Sequence, residues 1–342
     1  MGRDSKPGRG IYGQVVGMPE QIEEALRAER PSLPRPRRIC ICGMGTSALA
    51  GEIASDYADE ACAAPLHVQR GPDLPGWAGP GDAAVVISYS GDTEEMLLAY
   101  GEAASRGCAA ACVTSGGRLM EMCARDGAPV VAVPDDLSSR GSFGSLLGSL
   151  AVALDGMGEP GTAEGLESTV PALKAHRDRL VGEGRGEVER FARAIRGRIP
   201  VVYGLGNMRS SAVRWKTQIN ENSGFVSSFG YLPEFAHNEI VGWMGDSARV
   251  SDCVPIFLCD GGASGYVKTI VEASRDTLEE NGIEVLSYRV DGGSNLERNL
   301  KCMLFGDLVS IELARLRMTD PDAGEGGAAR PAGERRGHTN SF

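Results

Sequence analysis

Apolar runs of four or five residues alternate with helical patterns through most of this 342-residue chain. In the first half the runs lie at 38–42, 84–87, 109–113 and 130–133, and helical patterns at 47–57 and 93–105 separate them. Strands that are apolar throughout are buried on both faces, which is typical of a parallel sheet covered by helices on each side. The pattern therefore predicts an α/β fold with a doubly wound parallel sheet.

The same alternation begins again in the second half of the chain, with apolar runs at 200–203, 254–258 and 284–288. Segments 38–58 and 200–220 both consist of a strand, a Gly-x-Gly turn and a helix, which indicates a structural duplication. We expect two αβα domains of this kind. The expected boundaries are an N-terminal segment 1–35, a first domain 36–155, a helical linker 156–198, a second domain 199–319 and a disordered tail 320–342 with few large apolar residues.

Charge and hydropathy exclude several classes of partner. The formal net charge of −11 repels nucleic acid and anionic lipid, so we expect binding to neither. No window approaches 18 consecutive apolar residues and the first 40 residues lack an apolar signal segment, so we expect a cytoplasmic protein without a membrane helix. The nine cysteines are then expected to be free thiols.

Cys40 and Cys42 lie two apart in a predicted strand and so point to one face. No second cysteine pair and no histidine cluster accompanies them in the sequence. Buried packing is therefore the favoured interpretation, and we expect no metal site.

Three strands of the first half end in turns rich in glycine and hydroxyl residues, at 43–47, 88–93 and 114–117. Such residues are common in turns and helix caps, but three turns at the carboxyl edge of one sheet indicate a ligand site. Each turn opens a helix, and none contains Lys or Arg. We therefore expect a phosphate group bound mainly by hydroxyls and backbone N–H groups.

The Gly-x-Gly at positions 43 and 45 is a weak signal for a dinucleotide. Ala48 stands where a third glycine would fall, and no acidic residue follows a second strand at the usual distance. We expect no nicotinamide cofactor.

Two polar clusters in the second half carry further candidate groups. Segment 214–223 contains Glu221 between two asparagines, and segment 235–243 contains His237, one of four histidines. Taken singly, Glu221 is typical of a solvated carboxylate at a helix end, and His237 of a hydrogen-bonded structural histidine. Their occurrence together makes a catalytic site worth considering.

Segments 43–51, 88–95, 113–119, 214–223 and 237–243 resemble, in order and spacing, the bifunctional phosphoglucose/phosphomannose isomerases of the sugar isomerase (SIS) superfamily. The resemblance covers about residues 10–320. It implies two SIS-type domains in a homodimer, and an intramolecular oxidoreductase that needs no cofactor. The implied reaction interconverts fructose 6-phosphate with glucose 6-phosphate and mannose 6-phosphate.

The resemblance also implies roles for individual residues. Glu221 matches the base that moves a proton between C2 and C1, and His237 matches a ring-opening group supplied by the partner subunit. Arg140 matches the arginine that stabilises the enediolate. The positions that match the phosphate-binding hydroxyls are Ser47, Ser88, Ser90 and Thr93, with Gly45 and Thr46 in support. A carboxylate base, a positive group at the developing oxyanion and an acid–base group at the ring oxygen are what a cis-enediol route requires.

The sequence departs from the family near its end. The family carries a lysine on a last helix after an Asp-Pro turn, whereas here Asp320-Pro321 is followed by a polar segment and the last lysine is Lys301. Arg330 or another arginine of that segment is a candidate substitute. An alternative hypothesis is therefore a phosphosugar-binding or regulatory SIS protein with impaired catalysis. A third is an isomerase of another phosphosugar, such as an amino sugar or a pentose.

Overall fold

The computed structural model describes residues 10–245 and 247–323, and the strands in this part of the chain form two parallel sheets. In chain order the strands are β1 (Ile39–Gly43), β2 (Leu66–Gln69), β3 (Ala83–Ile87), β4 (Ala109–Thr114), β5 (Val130–Ala132), β6 (Ile199–Leu205), β7 (Ser228–Leu232), β8 (Cys253–Asp260) and β9 (Leu286–Val290). The α-helices are α1 (Ile11–Val16), α2 (Met18–Ala25), α3 (Gly45–Ala61), α4 (Glu94–Ser105), α5 (Gly117–Asp126), α6 (Phe143–Gly156), α7 (Gly161–Val181), α8 (Arg185–Ile195), α9 (Arg209–Ser223), α10 (Glu239–Trp243), α11 (Ser247–Val250), α12 (Gly265–Glu280) and α13 (Asn295–Leu316).

The first sheet has the strand order β2-β1-β3-β4-β5. Side chains of β1 alternate between two apolar layers. Ile39 and Ile41 pack with α3 and α6, whereas Cys40 and Cys42 pack with α4 and α5. Helices therefore cover both faces of this sheet, and the two cysteines lie in the buried packing that the sequence favoured.

The second sheet has the order β7-β6-β8-β9 and is also covered on both faces. Val202 of β6 belongs to the layer of α9 and α13, whereas Tyr203 packs with Phe235 and with Val271 of α12. The predicted fold class, two doubly wound parallel-sheet αβα domains, is confirmed.

Several elements of this fold are missing from the sequence-based prediction, among them β2, β7, α1 and α6. The edge strands β2 and β7 are partly exposed, so neither is a continuous apolar run. Helix α6 is buried at every position from Phe143 to Leu154, so it has no polar face and no helical period in its hydropathy. The predicted linker contains α7 and α8. The predicted tail lies outside the described residues from 324 onward, and residues 320–323 are described.

Asp56 of α3, a helix that packs on the first sheet, contacts helices α9 and α13, which pack on the second sheet. Ser210 at the start of α9 donates a hydrogen bond to the Asp56 carboxylate, and Asn295 Nδ2 donates to the Asp56 carbonyl at 3.2 Å. Burial raises the pKa of Asp56 to about 6, and the charge of Glu52 adds to this while the Ser210 hydrogen bond opposes it. The carboxyl therefore titrates at a contact between the two αβα units.

We expect Asp56→Asn to remove a pH dependence of stability. The folded pKa of about 6 exceeds the usual value of about 3.9, so protonation of Asp56 stabilises the fold below pH ~4, and this contribution is lost as the pH rises through 6. The neutral amide keeps an oxygen for Ser210. The free energy of unfolding of Asp56→Asn, measured with urea, should therefore rise relative to the parent protein by about 2 kcal/mol between pH 4 and pH 7.5.

Asp276→Asn on α12 removes an exposed carboxylate and is the control, because that side chain keeps 62% of its surface accessible. Parallel pH profiles for Asp56→Asn and the parent protein would contradict the expectation.

Candidate active site

The carboxyl edge of the first sheet holds the predicted phosphate-binding turns. Strand β1 pairs with β2 on one side and with β3 on the other, so the order of the strands reverses between β1 and β3. In open α/β sheets ligands bind at this position. Gly43 ends β1 opposite Ile87 of β3, which places Ser47 and Ser88 after neighbouring strand ends. Both serines are buried.

After β1 the chain turns so tightly that the first turn of α3 lies against Gly43 at the strand end. A Cβ at position 43 would lie 2.7 Å from the Ala48 nitrogen, so this approach requires glycine. Gly45 has a φ of +52°, in the left-handed region that glycine favours. Among the described residues no side chain caps α3, so its first N–H groups, at Gly45 and Thr46, face outward from the helix start. Such a helix start can bind an anion.

The turn after β3 supplies the other three predicted hydroxyls. Ser88 Oγ donates to Thr93 Oγ1 at 3.1 Å, and the Asp92 N–H donates to Ser90 Oγ at 3.2 Å. The Gly91 N–H donates to Ser88 Oγ at 3.2 Å. The structure therefore brings the predicted phosphate-binding hydroxyls to one edge of the first sheet, in two adjacent turns.

The equivalent crevice of the second sheet has different chemistry. At the end of β8 the buried Asp260 carboxylate accepts from the Gly262 N–H at 2.8 Å and lies 2.5 Å from Arg298 Nε. The ion pair leaves neither charge free for a phosphate, and the Arg298 guanidinium fills the space beside Gly262. This difference favours the first sheet as the phosphate site.

Tyr89 connects the turn after β3, residues 88–93, to the loop that carries Arg140. Its hydroxyl donates to the Leu137 carbonyl at 2.6 Å and accepts from the Leu137 N–H at 3.0 Å. Ser115 Oγ donates to the Tyr89 carbonyl at 2.6 Å. Tyr89 is not among the residues predicted for the site, although a large aromatic residue inside a turn of small residues was a signal for it.

Arg140 lies in the loop between β5 and α6 and is 5% exposed. Its Nη2 donates to the Pro321 carbonyl at 2.5 Å. Its Nε is buried and has no hydrogen-bond partner among the described residues. The Arg140 carbonyl accepts from Arg214 Nη2 of α9 at 3.1 Å.

Arg214 joins the Arg140 loop to both helices under the second sheet. Its Nη2 lies 2.7 Å from Asp307 Oδ2 of α13, and its guanidinium stacks 4.7 Å from the ring centre of Phe143. Both charged side chains are almost completely buried, with exposed fractions of 1% and 0%. Arg214 therefore contacts α13 through Asp307 and the Arg140 loop through the Arg140 carbonyl.

Glu221 lies about two helical turns beyond Arg214 on the same side of α9. Its side chain is exposed, and within the described residues it forms no hydrogen bond and no ion pair, so its carboxylate is available as a base. Arg317 Nε donates to the Ser223 carbonyl at the end of α9, at 3.3 Å. The segment 317–322 therefore contacts both the end of the Glu221 helix and Arg140.

His237 ends the short 3₁₀ helix Glu234–His237 and is exposed. Tyr203 of β6 contacts the residues that follow His237. Its hydroxyl donates to Glu239 Oε2 at 2.8 Å and accepts from Trp243 Nε1 at 3.0 Å. Burial raises the pKa of Tyr203, so this hydroxyl stays protonated. No hydrogen bond in the described chain joins His237 to Glu221 or Arg140. The imidazole faces outward on a stretch whose exposed apolar side chains are Val226, Phe229, Tyr231, Val241 and Met244.

The described residues contain neither a group of metal ligands nor a membrane-spanning helix. Among residues 10–245 and 247–323, no three His, Cys, Asp or Glu side chains are grouped as metal ligands. In the same ranges, none of the helices has the length and apolarity needed to span a bilayer.

Comparisons with known proteins relate both halves of the chain to phosphosugar enzymes. Residues 185–325 match the family described as bacterial phospho-glucose isomerase C-terminal SIS domain. The bifunctional phosphoglucose/phosphomannose isomerase of Aquifex aeolicus is 34% identical over 312 residues, which cover 91% of this chain and 94% of that protein. The protein of the same name from Caldicellulosiruptor bescii is 29% identical over 322 residues, with coverage of 91% and 95%.

A solved structure extends the comparison to the fold. The C-terminal domain of glucosamine-fructose-6-phosphate aminotransferase from Francisella tularensis has a TM-score of 0.74 at 14% identity, and the match covers 94% of this chain and 100% of that one. At this identity the likeness shows a shared fold and no more.

Proposed function

Because this chain belongs to the bifunctional phosphoglucose/phosphomannose isomerase family, as its motifs predicted, we propose that it interconverts fructose 6-phosphate with glucose 6-phosphate and mannose 6-phosphate. One observation carries the proposal beyond the family. Through Tyr89, hydrogen bonds link the turn after β3 to the Arg140 loop. Through Arg214, that loop is hydrogen-bonded to α9, the helix that carries Glu221. A phosphosugar held at the first sheet can thus extend toward a base and a cation.

In the proposed mechanism Ser47, Ser88, Ser90 and Thr93, with the N–H groups near Gly45 and Thr46, bind the substrate phosphate. His237 moves the proton between the ring oxygen and the anomeric hydroxyl, which opens the ring. Glu221 then removes the proton from one of the two carbons C1 and C2 and returns it to the other, while a hydroxyl proton passes between the oxygens on these two carbons in the enediolate. Arg140 donates to the oxygen that becomes negative in the enediolate. Binding of the remote phosphate holds the reacting carbons beside the base.

We propose that His237 acts on the site of a second subunit in a cytoplasmic homodimer. Its exposed position supports this arrangement, and the exposed Val226, Phe229 and Val241 lie near it in the chain. Light scattering of the purified protein tests it: a mass equal to one chain of 36.0 kDa would remove the cross-subunit role.

A phosphosugar-binding protein without turnover is the second candidate. The hydrogen bond from Arg140 Nη2 to the Pro321 carbonyl favours it, since one donor of the predicted enediolate-stabilising group is already engaged. The presence of Glu221 and His237 favours the isomerase, because binding alone requires neither a base nor a ring-opening group.

The deciding experiment supplies fructose 6-phosphate and follows glucose 6-phosphate and mannose 6-phosphate separately, with a thermal-shift titration by the same sugar. We expect both products to form. Binding without either product would support the phosphosugar-binding protein. Turnover of an amino sugar or pentose phosphate, with no turnover of fructose 6-phosphate, would redirect the assignment to another substrate.

A further inference from the structure

The backbone on each side of Arg140 is held by two glutamines of the N-terminal helices. Gln14 Oε1 of α1 accepts from the Ser138 N–H at 3.0 Å and from Ser138 Oγ at 2.6 Å. Gln21 Nε2 of α2 donates to the Gly141 carbonyl at 3.0 Å and to the Gln14 carbonyl at 2.8 Å. The two amides therefore bind Ser138, two residues before Arg140, and Gly141, the residue after it.

The contact between Gln14 and this loop leaves no spare room. A Cβ at position 141 would lie 1.9 Å from Gln14 Oε1, so only glycine allows the amide to approach the backbone. The Gly141 N–H also donates to Ser138 Oγ at 3.1 Å, which closes the loop on itself. Gln14 is 8% exposed, so water does not compete strongly for these hydrogen bonds.

The segment after α13 contacts both the side chain of Arg140 and the start of α1. Pro321 accepts from Arg140 Nη2, and the next residue, Asp322, accepts from the Ile11 N–H with its Oδ1 at 2.6 Å. The start of α1, the Arg140 loop and the segment after α13 thus form one closed set of hydrogen bonds. In this set both the main chain and the guanidinium of Arg140 have defined positions.

We propose that Gln14 and Gln21 are positioning residues for isomerisation, which act by fixing Arg140 where charge develops on the enediolate. The inference rests on the role proposed above for Arg140. Stabilisation by a preorganised donor is sensitive to displacement of about 1 Å, because the donor must meet the oxyanion without reorganising. An apolar contact would hold α1 and α2 against the loop equally well, but would not orient its peptide groups.

The test compares two ligands in variants of the full chain. A phosphorylated five-carbon hydroxamate mimics the planar enediolate, whereas glucitol 6-phosphate carries the phosphate and the carbon chain without that charge. We expect Gln14→Met to raise the Kd of the hydroxamate about tenfold to a hundredfold, and to leave the Kd of glucitol 6-phosphate within about twofold. Wherever turnover is measurable, kcat should fall while KM stays nearly constant.

Gln21→Met removes the contact on the other side of Arg140 and should act in the same direction. It keeps the test decisive if Gln14→Met does not fold, because Gln21 is only half-buried. Gln69→Met, at the end of edge strand β2, is the matched control and should change neither Kd. Equal weakening of both ligands, or no change in either, would overturn the inference by showing a merely structural contact or none.

Arg140→Met separates the inference from the proposed function on which it depends. If Arg140→Met weakens the hydroxamate and the glutamine variants do not, only the positioning role is wrong. If Arg140→Met also leaves hydroxamate binding unchanged, the proposed role of Arg140 is wrong and the inference is overturned with it.

Discussion

Replacing Glu221 by glutamine should abolish isomerisation while leaving phosphosugar binding nearly intact. Glutamine has the same shape but cannot take up the substrate proton, and loss of a general base lowers kcat by about 10²–10⁴-fold. Binding should persist, because the predicted phosphate site lies at the first sheet and Glu221 lies on α9 under the second. The measurement is kcat from fructose 6-phosphate to each aldose, combined with a thermal-shift titration of the same sugar.

Glu272→Gln is the matched control for this prediction. Glu272 is another exposed glutamate on a helix of the second sheet, and its replacement should leave kcat unchanged. Proton exchange at the substrate in deuterated water gives a second readout. The active protein should incorporate deuterium at C1 or C2, and Glu221→Gln should not. Full turnover or full exchange in Glu221→Gln would refute the assignment of the base.

Arg214→Met should lower the free energy of unfolding by about 3–5 kcal/mol. The substitution leaves the Asp307 carboxylate buried without its cation, and it removes the donor to the Arg140 carbonyl. An uncompensated buried charge costs more than the pair contributes, because water cannot solvate it. Urea denaturation, monitored together by fluorescence and circular dichroism, measures the loss and shows whether the two sheets still unfold in one transition.

The double variant Arg214→Met/Asp307→Leu distinguishes two causes of the destabilisation: loss of the attraction between Arg214 and Asp307, and burial of the Asp307 carboxylate without a cation. It should recover most of the stability that Arg214→Met loses, since neither charge then remains inside. Arg315→Met removes an arginine that is 61% exposed and pairs with Glu312 on the same helix α13, and it should change stability much less. If Arg214→Met were as mild as Arg315→Met, the buried pair would not be what holds the loop to α9 and α13.

The proposed mechanism divides the site between the two sheets. In this proposal the first sheet binds the phosphate with neutral donors, and helices α9 and α13 of the second domain supply the base and contact the Arg140 loop. At the end of β8 in the second sheet, Asp260 is paired with Arg298, so the two halves of the duplicated fold differ at their strand ends. The same division explains why we expect Glu221→Gln to separate binding from turnover.

The sequence by itself determined the fold class and most of the strands. Strands β1, β3, β4, β6 and β8 are continuous apolar runs, and burial on both faces imposes that pattern whatever the neighbours are. The hydroxyl-rich turns were equally visible, because the register of parallel strands brings their ends to one edge. Helix α6 could not be predicted, since burial on all sides removes the polar face that marks a surface helix.

Only the tertiary structure decided which polar residues act together. Tyr89 and Leu137, Arg214 and Asp307, and Gln14 and Ser138 are 48, 93 and 124 residues apart in the chain, yet each pair is hydrogen-bonded. Local hydropathy carries no information about such pairs, because a buried polar group needs a partner but does not encode where along the chain that partner lies. Resemblance to the isomerase family predicted the roles of Glu221, His237 and Arg140, whereas the packing of distant segments decides which groups contact Arg140.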